Sequence, residues 1–154
     1  MIFRVLIQEL SRDYKKIVRL LFKNFTIHCN LQNCYHRTPL HVAIENSNYN
    51  FVTLMLKSNI NELDYSLQDH LGNTVFHSSI KTILFLKKTY PNVESFSRIR
   101  MAKSKKIFYK LLQDVKTIDI YTKDYLGNTP LATLVDKGDE LNMIGQIYRK
   151  IGSG

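Results

Sequence analysis

The sequence has few cysteines and no long uninterrupted apolar run, and each shortage excludes a class of protein. Two cysteines in 154 residues, Cys29 and Cys34, cannot form a disulfide framework, which favours free thiols in a reducing compartment. No window reaches the roughly 18 consecutive apolar residues that a membrane-spanning helix needs. The first ten residues are interrupted by Arg4, Gln8 and Glu9, so they do not resemble a secretion signal.

Acidic residues are also scarce, since 22 Lys and Arg stand against 13 Asp and Glu for a formal net charge of +9. Such a charge favours acidic partners through long-range attraction but does not specify a fold. With 44% apolar residues, the chain is long enough for one domain with one continuous core. We expect that domain over residues 1–151, with residues 152–154 as a linker or expression scar. We further expect a cytoplasmic or nuclear monomer without a membrane anchor or a cofactor.

What the sequence does contain is a repeated segment. Residues 33–43 read NCYHRTPLHVA, residues 69–79 read DHLGNTVFHSS, and residues 124–134 read DYLGNTPLATL. Glycine suits a turn that needs positive φ, threonine can cap the helix that follows, and proline fits the first helical position because it lacks an N–H. The repeated segment is therefore a turn that leads into a helix. The residues that define it are Thr38, Pro39, His41, Gly72, Thr74, His77, Gly127, Thr129 and Pro130.

This segment resembles the ankyrin repeat, whose motif contains T-P-L-H-x-A and whose unit of about 33 residues consists of a β-turn and two helices. Residues 38–43, TPLHVA, match the motif fully, and residues 50–56 suit the second helix of that unit. The resemblance implies an all-α ankyrin-repeat solenoid with short β-turn or hairpin tips. It also implies that His41 and His77 tie neighbouring turns together through hydrogen bonds, a link that Ala132 removes from the last repeat.

The spacing of the turns is unequal. The first two motif threonines are 36 residues apart, whereas Thr74 and Thr129 are 55 residues apart. Two full repeats would need about 66 residues. We therefore interpret the longer gap as a shortened repeat that ends at Pro91 and a degenerate repeat with helices over residues 93–102 and 104–114. About five helix pairs are then expected, the outermost at residues 2–10 with 17–22 and at residues 131–137 with 140–150.

Candidate catalytic and metal-binding residues are few. Five potential zinc ligands lie within fourteen residues, namely His28, Cys29, Cys34, His36 and His41. They lack the paired C-x-x-C spacing of a zinc site, and the repeat motif already explains His41. A Cys–His nucleophile pair would need a third, orienting group that the sequence does not supply, and no glycine-rich phosphate loop is present. We therefore expect no bound metal and no enzymatic activity.

Ankyrin folds usually bind partners through the turn tips and the exposed face of each first helix, which together form a concave strip. The resemblance therefore implies a module that sequesters or scaffolds another protein. A narrower form is an IκB-like inhibitor of NF-κB-type transcription factors, as in short ankyrin-only viral or pathogen proteins that act in a host cell. The charge of +9 argues against that form, because gripping a basic nuclear-localisation segment requires acidic residues. The expected strip residues are Tyr35, His36, Arg37, Glu45, Asn46, His70, Leu71, Lys81, Tyr125, Leu126, Asp136 and Lys137.

A second binding surface is suggested by residues 97–110, which hold six cations and no acid. This stretch offers an alternative function, the binding of nucleic acid or of an acidic partner. A basic and simply solvated helix surface is the favoured interpretation, because no motif for reading nucleic acid and no free apolar face for lipid accompanies it. The cations are Arg98, Arg100, Lys103, Lys105, Lys106 and Lys110.

Overall fold

The computed structural model describes Lys16, Leu20 and residues 29–59, 63–91, 95–115, 119–136 and 142–152. Six helices lie in this part of the chain, and it contains no strand, which confirms the all-α prediction. Of the predicted pair over residues 2–10 and 17–22, only Leu20 belongs to the described residues, and it is helical. The helices are α1 (Pro39–Glu45), α2 (Tyr49–Asn59), α3 (Val75–Thr89), α4 (Ser95–Asp114), α5 (Pro130–Asp136) and α6 (Met143–Gly152).

The helices form two layers of a stack. Each first helix packs on the second helix of its own pair, so α1 contacts α2, α3 contacts α4, and α5 contacts α6. The first helices also contact one another in order, α1 on α3 and α3 on α5, and the second helices do the same. A turn precedes each first helix. The turns therefore belong to the layer of first helices, whereas the basic residues of α4 belong to the other layer.

The first helices begin where the motif predicts. At α1, the Thr38 Oγ1 accepts a hydrogen bond from the His41 backbone N–H at 3.3 Å, and Pro39 occupies the first helical position. At α5, the Thr129 Oγ1 accepts from the Ala132 N–H at 3.1 Å. These bonds satisfy backbone donors that the first turn of a helix leaves without an intrahelical acceptor.

The core runs along the interior of the whole described stack. Its largest fully buried side chains come from both layers and include Phe51, Ile80, Ile83, Phe108 and Leu111, each at most 1% exposed. Burial of one such side chain stabilises the fold by about 1.5–3 kcal/mol. No single helix pair could enclose them, so stacking of neighbouring pairs is what removes the apolar stripe of each pair from water.

The segment between Thr74 and Thr129 differs from our interpretation of the sequence. It is one enlarged repeat, in which α3 runs for 15 residues and α4 for 20 without a break. The division into a shortened and a degenerate repeat was therefore wrong, and this stretch holds one helix pair rather than two. Neither glycine nor proline interrupts either helix, and the Ser104 Oγ hydrogen-bonds within the helix to the Arg100 carbonyl oxygen at 3.1 Å. The predicted stop at Pro91 is confirmed, because α3 ends at Thr89.

Of the helices described, none has both the length and the apolar character needed to cross a bilayer.

Candidate interaction site

An acidic or amide side chain at the first position of each turn holds its backbone. The Asp69 Oδ1 accepts hydrogen bonds from the Leu71 N–H at 2.9 Å and the Asn73 N–H at 2.8 Å. Asn33 and Asp124 make the equivalent pair of bonds in the other two turns. Burial alone would raise the pKa of Asp69, but the hydrogen bonds from Asn73 and Leu71 hold it below its ordinary value. The side chain therefore stays charged and fixes the turn.

The fourth position of each turn has the left-handed backbone conformation that the motif glycine suggests. Gly72 has φ of 78° and Gly127 has φ of 83°, while His36 occupies the same place in the first turn with φ of 53°. Gly72 has a second constraint, because a Cβ there would lie 2.6 Å from both the backbone nitrogen and the Cδ1 of Tyr125. The third turn thus packs directly on the second.

Backbone hydrogen bonds join consecutive turns into a ladder. The His70 N–H donates to the Tyr35 carbonyl oxygen at 3.0 Å, and the Tyr125 N–H donates to the Leu71 carbonyl oxygen at 3.0 Å. Each bond connects the second residue of one turn to the tip of the turn before it. The tips are therefore fixed relative to one another and not only within themselves.

The motif histidines add a second connection between repeats. The His41 Nε2 lies 3.1 Å from the Asn73 carbonyl oxygen, and the His77 Nε2 lies 3.0 Å from the Asn128 carbonyl oxygen. Burial, the largest influence, lowers the pKa of both rings below 6.5 despite those hydrogen bonds. Each ring is therefore neutral near pH 7 and acts within the stack rather than on its surface.

Two glutamines support the same ladder and were missed in the sequence. The Gln32 Nε2 donates to the Gln68 carbonyl oxygen at 2.8 Å, and the Gln68 Nε2 donates to the Lys123 carbonyl oxygen at 2.9 Å. Both glutamines directly precede the first residue of a turn and are separated by the same 36 residues as Thr38 and Thr74. Extending the alignment of the turns by one residue would have found them.

Four large side chains remain open to solvent on these fixed tips. Tyr35 is 55% exposed, Leu71 51%, Tyr125 72% and Leu126 83%. The backbone under each of them is hydrogen-bonded within its turn or to a neighbouring turn, so it is held in place while the side chain is exposed. We refer to these four residues as the tip row.

A charged and aromatic cluster lies at the first-turn end of the tip row. The Tyr35 and His70 rings are 5.5 Å apart between centroids, and the Arg37 guanidinium lies 5.5 Å from the Tyr35 ring centre, a cation–π distance. The Arg37 Nη1 also pairs with the Glu45 Oε2 at 3.1 Å. Burial raises the pKa of Glu45, and the Arg37 charge opposes that rise. Next to Glu45, the exposed Asn46 donates its amide to the Val42 carbonyl oxygen.

Lys81 is placed differently from what we expected of a strip residue. Its Nζ donates to the Asp124 Oδ2 at 2.8 Å and to the Asn73 Oδ1 at 2.5 Å, and the Asp124 side chain is fully buried. Burial would raise the pKa of Asp124, but the Lys81 hydrogen bond and the turn amides hold it below its ordinary value. Lys81 therefore braces the third turn instead of offering an open contact. The Asp136 side chain and Lys137 lie outside the described part.

The basic stretch does not form one continuous patch. The half-buried Arg100 donates to the Glu45 carbonyl oxygen at 3.1 Å and to the Ser47 Oγ at 3.3 Å, so it braces the end of α1. The Lys110 Nζ pairs with the Asp114 Oδ2 at 2.7 Å. The four remaining cations fall on two faces of α4, because residues seven apart and residues three apart lie near each other around a helix. One face holds Arg98 and Lys105, and the other holds Lys103 and Lys106.

The cysteines considered as metal ligands differ in their exposure. Cys29 is buried, whereas Cys34 is exposed at the first turn, and His28 lies outside the described residues. Within the described ranges, no group of three or more His, Cys, Asp or Glu side chains is arranged to hold a metal ion.

Comparison with known proteins agrees with this architecture. Residues 5–69 match the family model described as ankyrin repeats (3 copies). No curated protein sequence matches the chain. The match ends at Asp69, the first residue of the second turn, yet the second and third turns repeat the side-chain and backbone hydrogen bonds of the first. Residues 5–69 of the chain are thereby identified as ankyrin repeats.

Proposed function

We propose that this chain binds a partner protein through the tip row and the cluster around Arg37, and that it sequesters or scaffolds that partner. Ankyrin repeats are protein-interaction modules and are typically not enzymes. The observation that carries the proposal is the exposure of Tyr35, Leu71, Tyr125 and Leu126 on turns whose backbone is fixed.

Fixed turns with open aromatic and apolar side chains suit binding for a physical reason. Association loses free energy when loops must be ordered, and the ladder has already ordered these turns. Tyr and Arg are frequent anchors at interfaces because each combines a large contact area with a hydrogen-bonding group. Tyr35, Arg37 and Tyr125 are therefore the side chains that we expect to contribute most of the affinity.

The test is affinity capture with the full chain, followed by measurement of the dissociation constant for each captured protein. The paired substitution Tyr35→Ala and Tyr125→Ala is expected to weaken a specific partner at least about tenfold, the scale of interface anchors. Tyr148→Ala is the matched control, because Tyr148 is 59% exposed but lies on α6 in the layer of second helices. An unchanged partner list in the paired variant would contradict the assignment.

A narrower proposal concerns the identity of the partner. Short ankyrin-only chains resemble IκB-type inhibitors, and an NF-κB-type factor in a host cell would then be the partner, held in the cytoplasm or the nucleus. The charges weigh against it, because the carboxylate of Glu45 on the strip is already paired with Arg37. Loss of DNA binding by a purified NF-κB-type factor on addition of the chain would support it, and unchanged DNA binding would reject it.

The alternative function, nucleic-acid binding through residues 98–110, receives less support. Arg100 bonds the Glu45 carbonyl oxygen and Lys110 pairs with Asp114, and the other four cations lie on two faces of one helix. Each phosphate contact releases counterions and steepens the salt dependence of binding, so two cations per face predict only weak and salt-sensitive association. Tight binding of a polyanion that vanishes on Lys103→Glu, Lys105→Glu and Lys106→Glu would reverse this preference.

A further inference from the structure

The middle helix pair extends past its neighbours at the end away from the turns. Aligned by the motif threonines, α1 ends at the position of Lys81, yet α3 continues for about eight more residues to Thr89, or roughly 12 Å. On α4, Arg100 is the residue that reaches the end of α1, so the residues before it also lie beyond α1. The extension leaves large apolar side chains exposed, with Phe85 58% and Ile99 55% accessible.

A groove of about 280 Å³ lies between the extended parts of α3 and α4. Leu86, Met101 and Ala102 give it an apolar lining, and Tyr90, which is 44% exposed, stands at the end of α3. The volume falls just below the range of about 300–1,000 Å³ that is typical of small-molecule sites. The groove is therefore suited to one or two apolar side chains rather than to a cofactor.

Both charged side chains that line this groove in the described part of the chain are cations. Arg98 and Lys105 line it, seven residues apart on one face of α4, which separates their Cα atoms by about 10 Å. Neither forms an ion pair with any carboxylate in the described chain, in contrast to Lys110 with Asp114. Two cations that pair with no described carboxylate, beside an apolar groove, favour a ligand that brings two carboxylates and an apolar side chain between them.

We propose that this groove binds an acidic segment of another protein. A large apolar side chain of that segment contacts Leu86, Met101 and Ala102, and two carboxylates about 10 Å apart pair with Arg98 and Lys105. Acidic residues seven positions apart on a helix have this spacing. The proposal does not depend on the turn-tip strip, because the cations lie on α4 in the layer of second helices.

The chemistry of the groove favours a protein segment over nucleic acid. Among the described residues two cations line it, whereas stable nucleic-acid binding relies on many phosphate contacts. Burial of a leucine or phenylalanine side chain against its apolar lining removes apolar surface from water.

The experiment uses the full chain and a fluorescent synthetic helical peptide with two glutamates seven residues apart and two leucines between them. Binding is followed by fluorescence anisotropy. Arg98→Glu with Lys105→Glu is expected to weaken binding at least about tenfold, the scale of charge pairs across an interface. Lys103→Glu with Lys106→Glu is the matched control, because it makes the same charge change on the other face of α4 and is expected to change affinity by less than about twofold. Circular dichroism verifies that both variants are folded.

Three further measurements decide the assignment. A peptide with glutamine in place of glutamate, and a protein with Ala102→Glu in the groove, should each lose binding, while Tyr35→Ala with Tyr125→Ala should retain it. Absence of binding by the acidic peptide, or equal losses in both double variants, would overturn the proposal. Single-stranded DNA that binds this face more tightly than the peptide and displaces it would overturn the proposal in favour of nucleic acid.

Discussion

The imidazole Nε2 of His41 lies 3.1 Å from the carbonyl oxygen of Asn73 in the following turn, and His77 stands in the same relationship to Asn128. The Nδ1 of each ring accepts the N–H of the threonine that caps its own helix, so Nε2 carries the proton and donates it. One side chain thereby joins the start of a helix to the next repeat. Ala132 occupies this place in the last described repeat, and the connection ends there.

Removal of either histidine should destabilise the stack strongly. His41→Ala or His77→Ala leaves a buried carbonyl oxygen and a threonine N–H without their partners and opens a cavity, which we expect to cost about 2–4 kcal/mol. Urea unfolding followed by circular dichroism measures this. His70→Ala is the control, because the exposed His70 ring bonds only the Tyr35 carbonyl oxygen, and we expect it to cost less than about 1 kcal/mol. Equal losses at all three sites would show that the motif histidines have no special role.

Stability should fall as the solution is acidified from neutral pH. Burial lowers the pKa of His41 and His77 below the ordinary value of 6.5, so below that value the unfolded chain binds protons that the folded chain does not. Their contribution is therefore complete above about pH 6.5 and is lost as the pH falls through the folded pKa values. The slope is at most about 1.4 kcal/mol per pH unit for each histidine. Free energies of unfolding at about pH 7.5 and pH 5.5, at constant ionic strength, test this.

The origin of that pH dependence can be isolated with variants. Replacement of both His41 and His77 by Gln should flatten it. The raised pKa of Glu45 has the opposite effect on stability. Above its ordinary pKa of 4.5, the folded chain binds a proton that the unfolded chain does not, so acidification there partly offsets the loss caused by the histidines. A dependence that survives in the His41 and His77 variant would contradict the assignment.

The sequence was sufficient for features that depend on a few adjacent residues. The threonine cap, the proline at the first helical position and the positive φ of Gly72 and Gly127 are local properties, and the structure has all of them. The assignment of the fold class followed, because the motif also fixes which helix face must be buried.

Features that depend on distant partners could not be predicted. Lys81 has the sequence context of an exposed helix residue, but its partner Asp124 lies 43 positions away. Arg100 belongs to a run of cations, yet it bonds the Glu45 carbonyl oxygen 55 positions away. The expected repeat length also gave a wrong interpretation of residues 74–129. The motif does not specify the length of α4, which continues for 20 residues and packs on α2, α3 and α6.

The two turn glycines should differ in their tolerance of a side chain. Both have positive φ, so alanine at either position costs about 1–2 kcal/mol of backbone strain. Gly72→Ala also forces a Cβ to within 2.6 Å of the Tyr125 backbone nitrogen, whereas a Cβ at Gly127 meets no atom within 4 Å. We expect Gly72→Ala to be the more destabilising by at least about 1 kcal/mol. Thermal unfolding of the two variants provides the comparison, and equal shifts would show that the second and third turns can separate without loss.

The brace between Lys81 and Asp124 should stabilise the third turn more than an ordinary helical ion pair would. The Asp124 side chain is fully buried, so Lys81→Met leaves its carboxylate with only the turn amides as donors, at an expected cost of about 1–3 kcal/mol. Lys110→Met is the matched control, because its partner Asp114 is one turn away on the same helix, and such pairs contribute about 0.3–0.5 kcal/mol.

A double-mutant cycle separates the interaction of the brace from its side effects. Asp124→Asn keeps an oxygen for the turn amides and removes the charge, so Lys81→Met should cost much less in that background than in the native chain. The free energies of unfolding of the two single variants and the double variant give the coupling directly. Additive losses would mean that Lys81 contributes through its packing alone, and its place on the binding strip would then need to be considered again.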